Sequence, residues 1–168
     1  MTDTAQQGDA ASPKLRFLAE VVSVKAEHLN ATDGRLFAEP MTAARAASLR
    51  FDVDLSERAD AFVARFGRLQ DTLADKLLPQ LLQWLAEPVG SAIDNLNKAE
   101  RLGWIGSVDA WLEARRMRNR MIHEYVRDPA ELAAALTLAH AAVPLLDRAT
   151  RAMVARVNRG EGPVARQG

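Results

Sequence analysis

The chain has 168 residues, 48% hydrophobic and 26% charged, with 22 Lys and Arg against 22 Asp and Glu. This length fits one domain with a buried core, and the absence of cysteine excludes disulfides, thiolate catalysis and Cys-ligated metal sites. A formal net charge of zero excludes a global electrostatic footprint for nucleic acid, so any such contact must come from a local patch. Aromatic residues are scarce at 5%, whereas Ala, Leu and Arg are plentiful, which favours helices over sheets.

The two ends of the chain are polar and unlike the segment between them. Residues 1–12 lack the apolar stretch of a signal sequence, and they predict a disordered arm. Residues 159–168, which contain Gly, Pro and charges, predict a flexible tail. No uncharged apolar run approaches the roughly 18 residues of a membrane span, so we expect a cytoplasmic protein that does not contact a membrane.

The first helix is predicted to follow Ser12, because a serine N-cap followed by Pro13 is a common helix start. Apolar residues at intervals of three and four extend the pattern to about residue 30, and Gly34 is expected to end it. A second, shorter helix fits residues 41–51.

The longest helix is predicted over residues 55–86. Asp54 and Glu57 form a capping-box pattern at its start, and Pro79 inside it should produce a kink. Its apolar residues recur at threes and fours, which is the stripe of a core helix: Phe62, Phe66, Leu69, Leu73, Leu77, Leu81 and Leu85.

Two further helix starts follow along the chain. Ser91 and Asp94 form another capping box, for a helix that ends at Gly103. Ser107 is the predicted N-cap of the helix that carries residues 111–126.

A last helix is predicted from Asp128 to about residue 158, bent near Pro144. The sequence shows no strand-like alternation and no internal repeat. These patterns predict one all-α domain over residues 13–158, an up-and-down bundle of about five to six helices with short connections.

Residues 111–126 form the segment with the most candidate functional side chains. Arg118 falls inside the apolar arc of this helix, so it must be ion-paired, reach solvent with its charged end, or lie at an interface. Five Arg against two Glu between residues 113 and 127 give a local positive excess. The arc itself consists of Trp111, Ala114, Met117, Met121, Ile122, Tyr125 and Val126.

The run from Arg118 and Asn119 to His123 resembles the Arg-Asn-four-to-six-His signature of the HEPN family. Tyr125, two residues after the histidine, resembles the HepT toxin branch of that family. The similarity extends over roughly residues 55–150 and implies a HEPN-like helical bundle. It also implies a homodimer, and a minimal nucleotidyltransferase (MNT) as the antitoxin partner.

The resemblance implies metal-independent ribonuclease chemistry without a cofactor, in a cleft of the homodimer. Arg118 and His123 would be the catalytic residues. A neutral histidine can take or return a proton, and arginine can hold a phosphate and stabilise the charge that develops on it. Asn119 would orient His123 or bind a phosphate oxygen. Tyr125 would be the residue that the antitoxin modifies with a nucleotide, unless it is simply a core residue.

Asp71 is open to two interpretations: a surface or helix-pairing residue, or a supporting residue beside Arg118, since HEPN sites often take a polar residue from another helix. Residues five apart point about 140° away from each other on a helix, so Arg118 and His123 do not form a tight pair by themselves. A two-fold partner would supply the complementary residue. The predicted RNA-binding residues are Arg115, Arg116, Arg120 and Arg127.

Three functions stay open at this stage. The first is an endoribonuclease toxin of a HEPN/MNT-type toxin–antitoxin pair. The second is a non-catalytic HEPN subunit that serves a nucleotidyltransferase, and the third is a purely structural bundle. His28 and His140 are isolated, so no metal site is predicted.

Overall fold

The computed structural model describes residues 10–124, 128–160 and 162, with the backbone alone for residues 122–124. This part of the chain is all-helical, which confirms the predicted fold class. The third and fourth of the seven α-helices are joined by a π-helical segment into one continuous helix, called the rod below. The described part of the bundle therefore has six separate helical units. The elements are α1 (Pro13–Leu36), α2 (Ala43–Ser48), α3 (Val53–Asp71), the π segment (Thr72–Leu77), α4 (Leu78–Trp84), α5 (Ala92–Arg101), α6 (Val108–Glu124) and α7 (Pro129–Asn158).

Four of the predicted helix starts are confirmed by hydrogen bonds from their caps. The Ser12 hydroxyl accepts from the Leu15 amide at 3.2 Å. Ser91 and Asp94 form a reciprocal capping box, and the Ser107 and Asp128 side chains cap α6 and α7. These starts could be predicted because a cap needs only residues within one turn of each other.

The predicted end of α1 is wrong, since the helix runs through Gly34 to Leu36. Leu36 is buried in the core, and Asp33 contacts His140 of α7 at 2.7 Å between Oδ1 and Nδ1. A glycine weakens a helix by only about 1 kcal/mol. Tertiary contacts on both sides of Gly34 outweigh that cost, so the helix gains one and a half turns over the prediction.

The second and third helices begin at residues other than those predicted. α2 is shorter than predicted, and Thr42 caps it by accepting from the Arg45 amide at 3.1 Å. α3 is capped by Asp52, whose carboxylate accepts from the Leu55 amide at 2.9 Å, so the predicted start at Asp54 is two residues late. Both aspartates are N-cap residue types, and the sequence alone does not rank them.

The rod over residues 53–84 changes its winding where the sequence predicts a kink. Pro79 lies in the first turn of α4, directly after the π segment Thr72–Leu77. A proline ring clashes with the carbonyl four residues earlier, which is that of Asp75. A wider π turn is one way for a helix to relieve such a clash, and π turns are often found at functional sites.

The core lies between α1, α3, α6 and α7. α1 packs against α3 and α7, and α6 packs against α7 and α3. α7 is long and apolar enough to cross a membrane by length and composition, but its buried residues belong to the same core cluster as those of α1, as expected for the central helix of a bundle. The largest fully buried side chains include Trp111, Phe62, Phe66, Leu15, Leu29, Leu73 and Leu81.

Candidate functional site around Arg118

The apolar face of α6 is the one that the sequence predicts. Trp111, Ala114, Met117 and Met121 are all buried, and Trp111 is fully enclosed. Burial of this face fixes the rotation of α6 about its own axis. As a result, Arg115 and Arg118 face the rod formed by α3 and the π segment.

Arg118 forms a half-buried ion pair with Asp71. Its Nη1 donates to Asp71 Oδ1 at 2.7 Å and lies 3.4 Å from the Gly67 carbonyl oxygen. The Arg118 side chain is 19% exposed and the Asp71 side chain 42%. Within the described residues, Arg118 Nε and Nη2 have no protein acceptor, so one edge of the guanidinium is held while the other keeps its donors.

Gly67 makes room for the Arg118 side chain. A Cβ atom built at Gly67 would lie 2.7 Å from Arg118 Cδ and 3.3 Å from Nε. Real Cβ atoms essentially never come that close to another heavy atom, so any larger residue at this position would displace Arg118. The glycine therefore sets the position of the guanidinium relative to Asp71.

Arg115 lies beside the same carboxylate. Its Nη2 is 3.4 Å from Asp71 Oδ1 and 3.3 Å from Asp75 Oδ2. Asp75 belongs to the π segment, one turn after Asp71. Two arginines of α6 and two aspartates of the rod thus form one ion-pair network, which places Asp71 beside Arg118 and also pairs α6 with the rod.

Gln70 links α3 to α6 within the core. Its Nε2 donates to the Trp111 carbonyl oxygen at 3.0 Å, and its side chain is fully buried. Its Oε1 is buried without a hydrogen-bond partner among the described residues. A buried polar group of this kind disfavours sliding of α6 along α3, because its one hydrogen bond would be lost.

The other predicted RNA-binding residues differ in their surroundings. Arg116 pairs with Glu113 of the preceding turn, with 2.8 Å between Nη2 and Oε2. Arg120 and Asn119 are exposed on α6. Arg127 lies outside the described residues.

The two remaining predicted site residues are described only in part or not at all. His123 lies in α6, in the last turn before Glu124, but its side chain is outside the described residues. Tyr125 is outside the described residues altogether. The structure therefore brings Arg118 together with Asp71, while the positions of His123 and Tyr125 side chains stay predictions.

Two residues at this site, Gly67 and Asp75, are not among the predicted site residues. Gly67 lies inside a strongly periodic helix, where an isolated glycine can mark close packing. Asp75 was not singled out, because its contact with Arg115 depends on how two distant helices pack. The described residues contain no group of three or more His, Asp or Glu side chains that could hold a metal ion.

The ion pair also bears on the predicted homodimer. An unpaired Arg118 inside the apolar arc of α6 would favour an interface at this helix, because a second chain could supply the partner. Asp71 of the same chain is that partner instead. The homodimer stays a prediction, and its remaining ground is the resemblance of the motif.

Comparison of the chain with protein-family models, with curated proteins and with solved structures finds no match. The motif in α6 and the contacts of its arginines are therefore the observations that bear on function.

Proposed function

We propose that this protein is a metal-independent endoribonuclease toxin of the HEPN/MNT type, acting as a homodimer with Arg118 and His123 as its catalytic residues. The observation that supports it most is the Arg118 guanidinium, which lies inside the recognised motif. It is held at Nη1 by Asp71 and Gly67, and no acceptor among the described residues contacts its other donors. A guanidinium fixed in this way can bind a phosphodiester with little further ordering.

The chemistry needs no group beyond these side chains and the substrate. His123 as a base takes the proton of a ribose 2′-hydroxyl, and the resulting oxygen attacks the adjacent phosphorus. The bond from phosphorus to the 5′-oxygen breaks, and that oxygen takes a proton from an acid, His123 or its copy in a second chain. Arg118 stabilises the negative charge that develops on the phosphate oxygens.

The direct test is RNA cleavage by purified protein in the presence of EDTA. His123→Ala should lower the rate by about a hundred-fold to ten-thousand-fold, the usual cost of losing a positioned proton-transfer group. Arg118→Lys should also lose activity, since it keeps the charge but not the planar two-pronged grip. His28→Ala, a change of an exposed histidine on α1, is the matched control and should cleave like the wild type.

Growth of cells that express the protein gives a second measurement. The wild type should slow growth, and Arg118→Ala or His123→Ala should relieve the effect. If the purified wild type cuts no RNA and all variants behave alike in cells, the toxin proposal fails.

The alternative is a non-catalytic HEPN subunit that binds a nucleotidyltransferase. The ion pairs of Arg115 and Arg118 favour it, because they would serve equally well to hold α6 against the rod. In that case the wild type would cleave no RNA, Arg118→Ala would lower stability alone, and the transferase would bind wild type and His123→Ala equally.

A further inference from the structure

Three cations outside the motif lie on the side of the rod that faces α1. Lys25 of α1 donates from Nζ to the Thr72 hydroxyl at 2.8 Å, and that hydroxyl donates to the Arg68 carbonyl at 2.6 Å. Lys76 follows Thr72 by four residues in the π segment. Lys25, Arg68 and Lys76 together are called the basic patch below.

The basic patch carries charge that no direct ion pair within the described residues neutralises. Among the side chains of residues 10–121 and 128–160, no carboxylate oxygen lies within ion-pair distance of any of the three cations. Arg68 and Lys76 are exposed, while Lys25 is half-buried. Desolvation of Lys25, together with the charges of Lys76 and Arg68, lowers the pKa of the Lys25 ammonium.

The basic patch is continuous with the ion-pair network of the candidate site. Asp71 lies next to Thr72 and attracts Lys25 as well as Arg115 and Arg118. The basic patch and the ion-pair network together thus contain five cations and two carboxylates, Asp71 and Asp75, which among the described residues form ion pairs only with Arg115 and Arg118. On a protein of zero net charge, this local excess attracts anions.

We propose that the basic patch binds a backbone phosphate of the single-stranded RNA substrate, next to the phosphate that Arg118 holds. This inference rests on the proposed ribonuclease function and extends it to residues outside the motif. A phosphate placed there relieves the repulsion among the three cations, and Thr72 fixes the Lys25 ammonium for the contact. Phosphate contacts of this kind position a strand without reading its bases.

Binding is measured apart from cleavage with a labelled 12-mer of 2′-O-methyluridine, which lacks the attacking hydroxyl and cannot be cut. Lys25→Met with Lys76→Gln should weaken binding about 10-fold near 0.1 M salt, and lower the slope of log affinity against log salt by about 0.7, the value for one phosphate contact on a single strand. The matched control is Arg101→Gln with Arg148→Gln, which removes two exposed charges of α5 and α7 and should leave both quantities near the wild type.

The outcomes separate this inference from the function on which it rests. Lys25→Arg with Lys76→Arg should retain wild-type affinity, because the charge is kept. Equal weakening by the patch variant and by the control would overturn the basic patch as a site, as would absence of binding by the wild type. Binding that follows the predicted pattern without any cleavage of natural RNA would refute the ribonuclease function alone. Thermal melting of each variant shows whether it is still folded, so that weaker binding is not confused with unfolding.

Discussion

Arg118 Cδ occupies the space that a Cβ atom at Gly67 would need, at 2.7 Å. The Gly67→Ala change should therefore push the guanidinium away from Asp71. Alanine is favoured over glycine inside a helix by about 1 kcal/mol, which offsets part of the steric cost, so the melting temperature should move little. RNA cleavage should fall at least about ten-fold, since small misplacements of a positioning group are costly. Activity retained at the wild-type level would show that the placement of Arg118 does not matter for function. Gly34→Ala, where the added Cβ meets nothing within 4 Å, is the control.

The strength of the Arg118–Asp71 ion pair can be measured in a double-mutant cycle. Arg118→Ala and Asp71→Ala should show a coupling of about 0.5–3 kcal/mol in the free energy of unfolding, as residues in one network do. The same cycle on Arg116 and Glu113, an exposed pair within one helix, should give about 0.2–0.5 kcal/mol. Equal coupling in both cycles would contradict a special role for the half-buried pair. Urea titration at low salt is the measurement.

Lys25 should make the free energy of unfolding depend on pH, and the direction of this dependence follows from the surroundings of its ammonium. Desolvation first, and then the charges of Lys76 and Arg68, lower the pKa of its ammonium in the folded chain below its ordinary value of 10.5. The charged form therefore costs stability below the folded pKa, and this cost disappears as the pH rises through 10.5. Lys25→Met removes the cost, so the stability of the variant relative to wild type should decrease between pH 8 and pH 11. A difference that stays constant or grows over this range would contradict the lowered pKa.

Tyr125 is the single tyrosine of the chain, which makes its predicted modification simple to test. Coexpression with a cognate nucleotidyltransferase should add nucleotide mass to the protein, and peptide mapping should place it on Tyr125. Tyr125→Phe should lack the adduct and remain toxic, because it keeps the ring and loses only the hydroxyl. An adduct on a serine or threonine, or none at all, would leave the tyrosine with a packing role.

The predicted homodimer should be visible in sedimentation at micromolar concentration as a species of two chains. If α6 lies at the interface, Arg120→Glu on its exposed face should weaken association about ten-fold or more, through charge reversal. Arg101→Glu on α5 reverses an exposed charge elsewhere and should have no such effect. A strictly monomeric wild type would rule out a cleft shared between two chains.

Most of the helices could be predicted from the sequence because their signals are local. The caps at Ser12, Ser91 and Asp128 act within one turn, and the apolar spacing of α6 selects its buried face without knowledge of what it packs against. The same spacing placed Arg118 inside an apolar arc and so indicated that its charge required a partner.

Which group became that partner was decided only by tertiary structure. Arg118 and Asp71 are 47 residues apart, and their contact depends on how α6 is rotated against α3. The extension of α1 through Gly34 and the role of Gly67 have the same origin, since long-range contacts outweigh a local preference of about 1 kcal/mol. The sequence by itself determined the all-helical fold class, four of the helix starts and the buried face of α6. Packing between distant segments decided which side chains of different helices meet, because that choice depends on the free energy of the whole core.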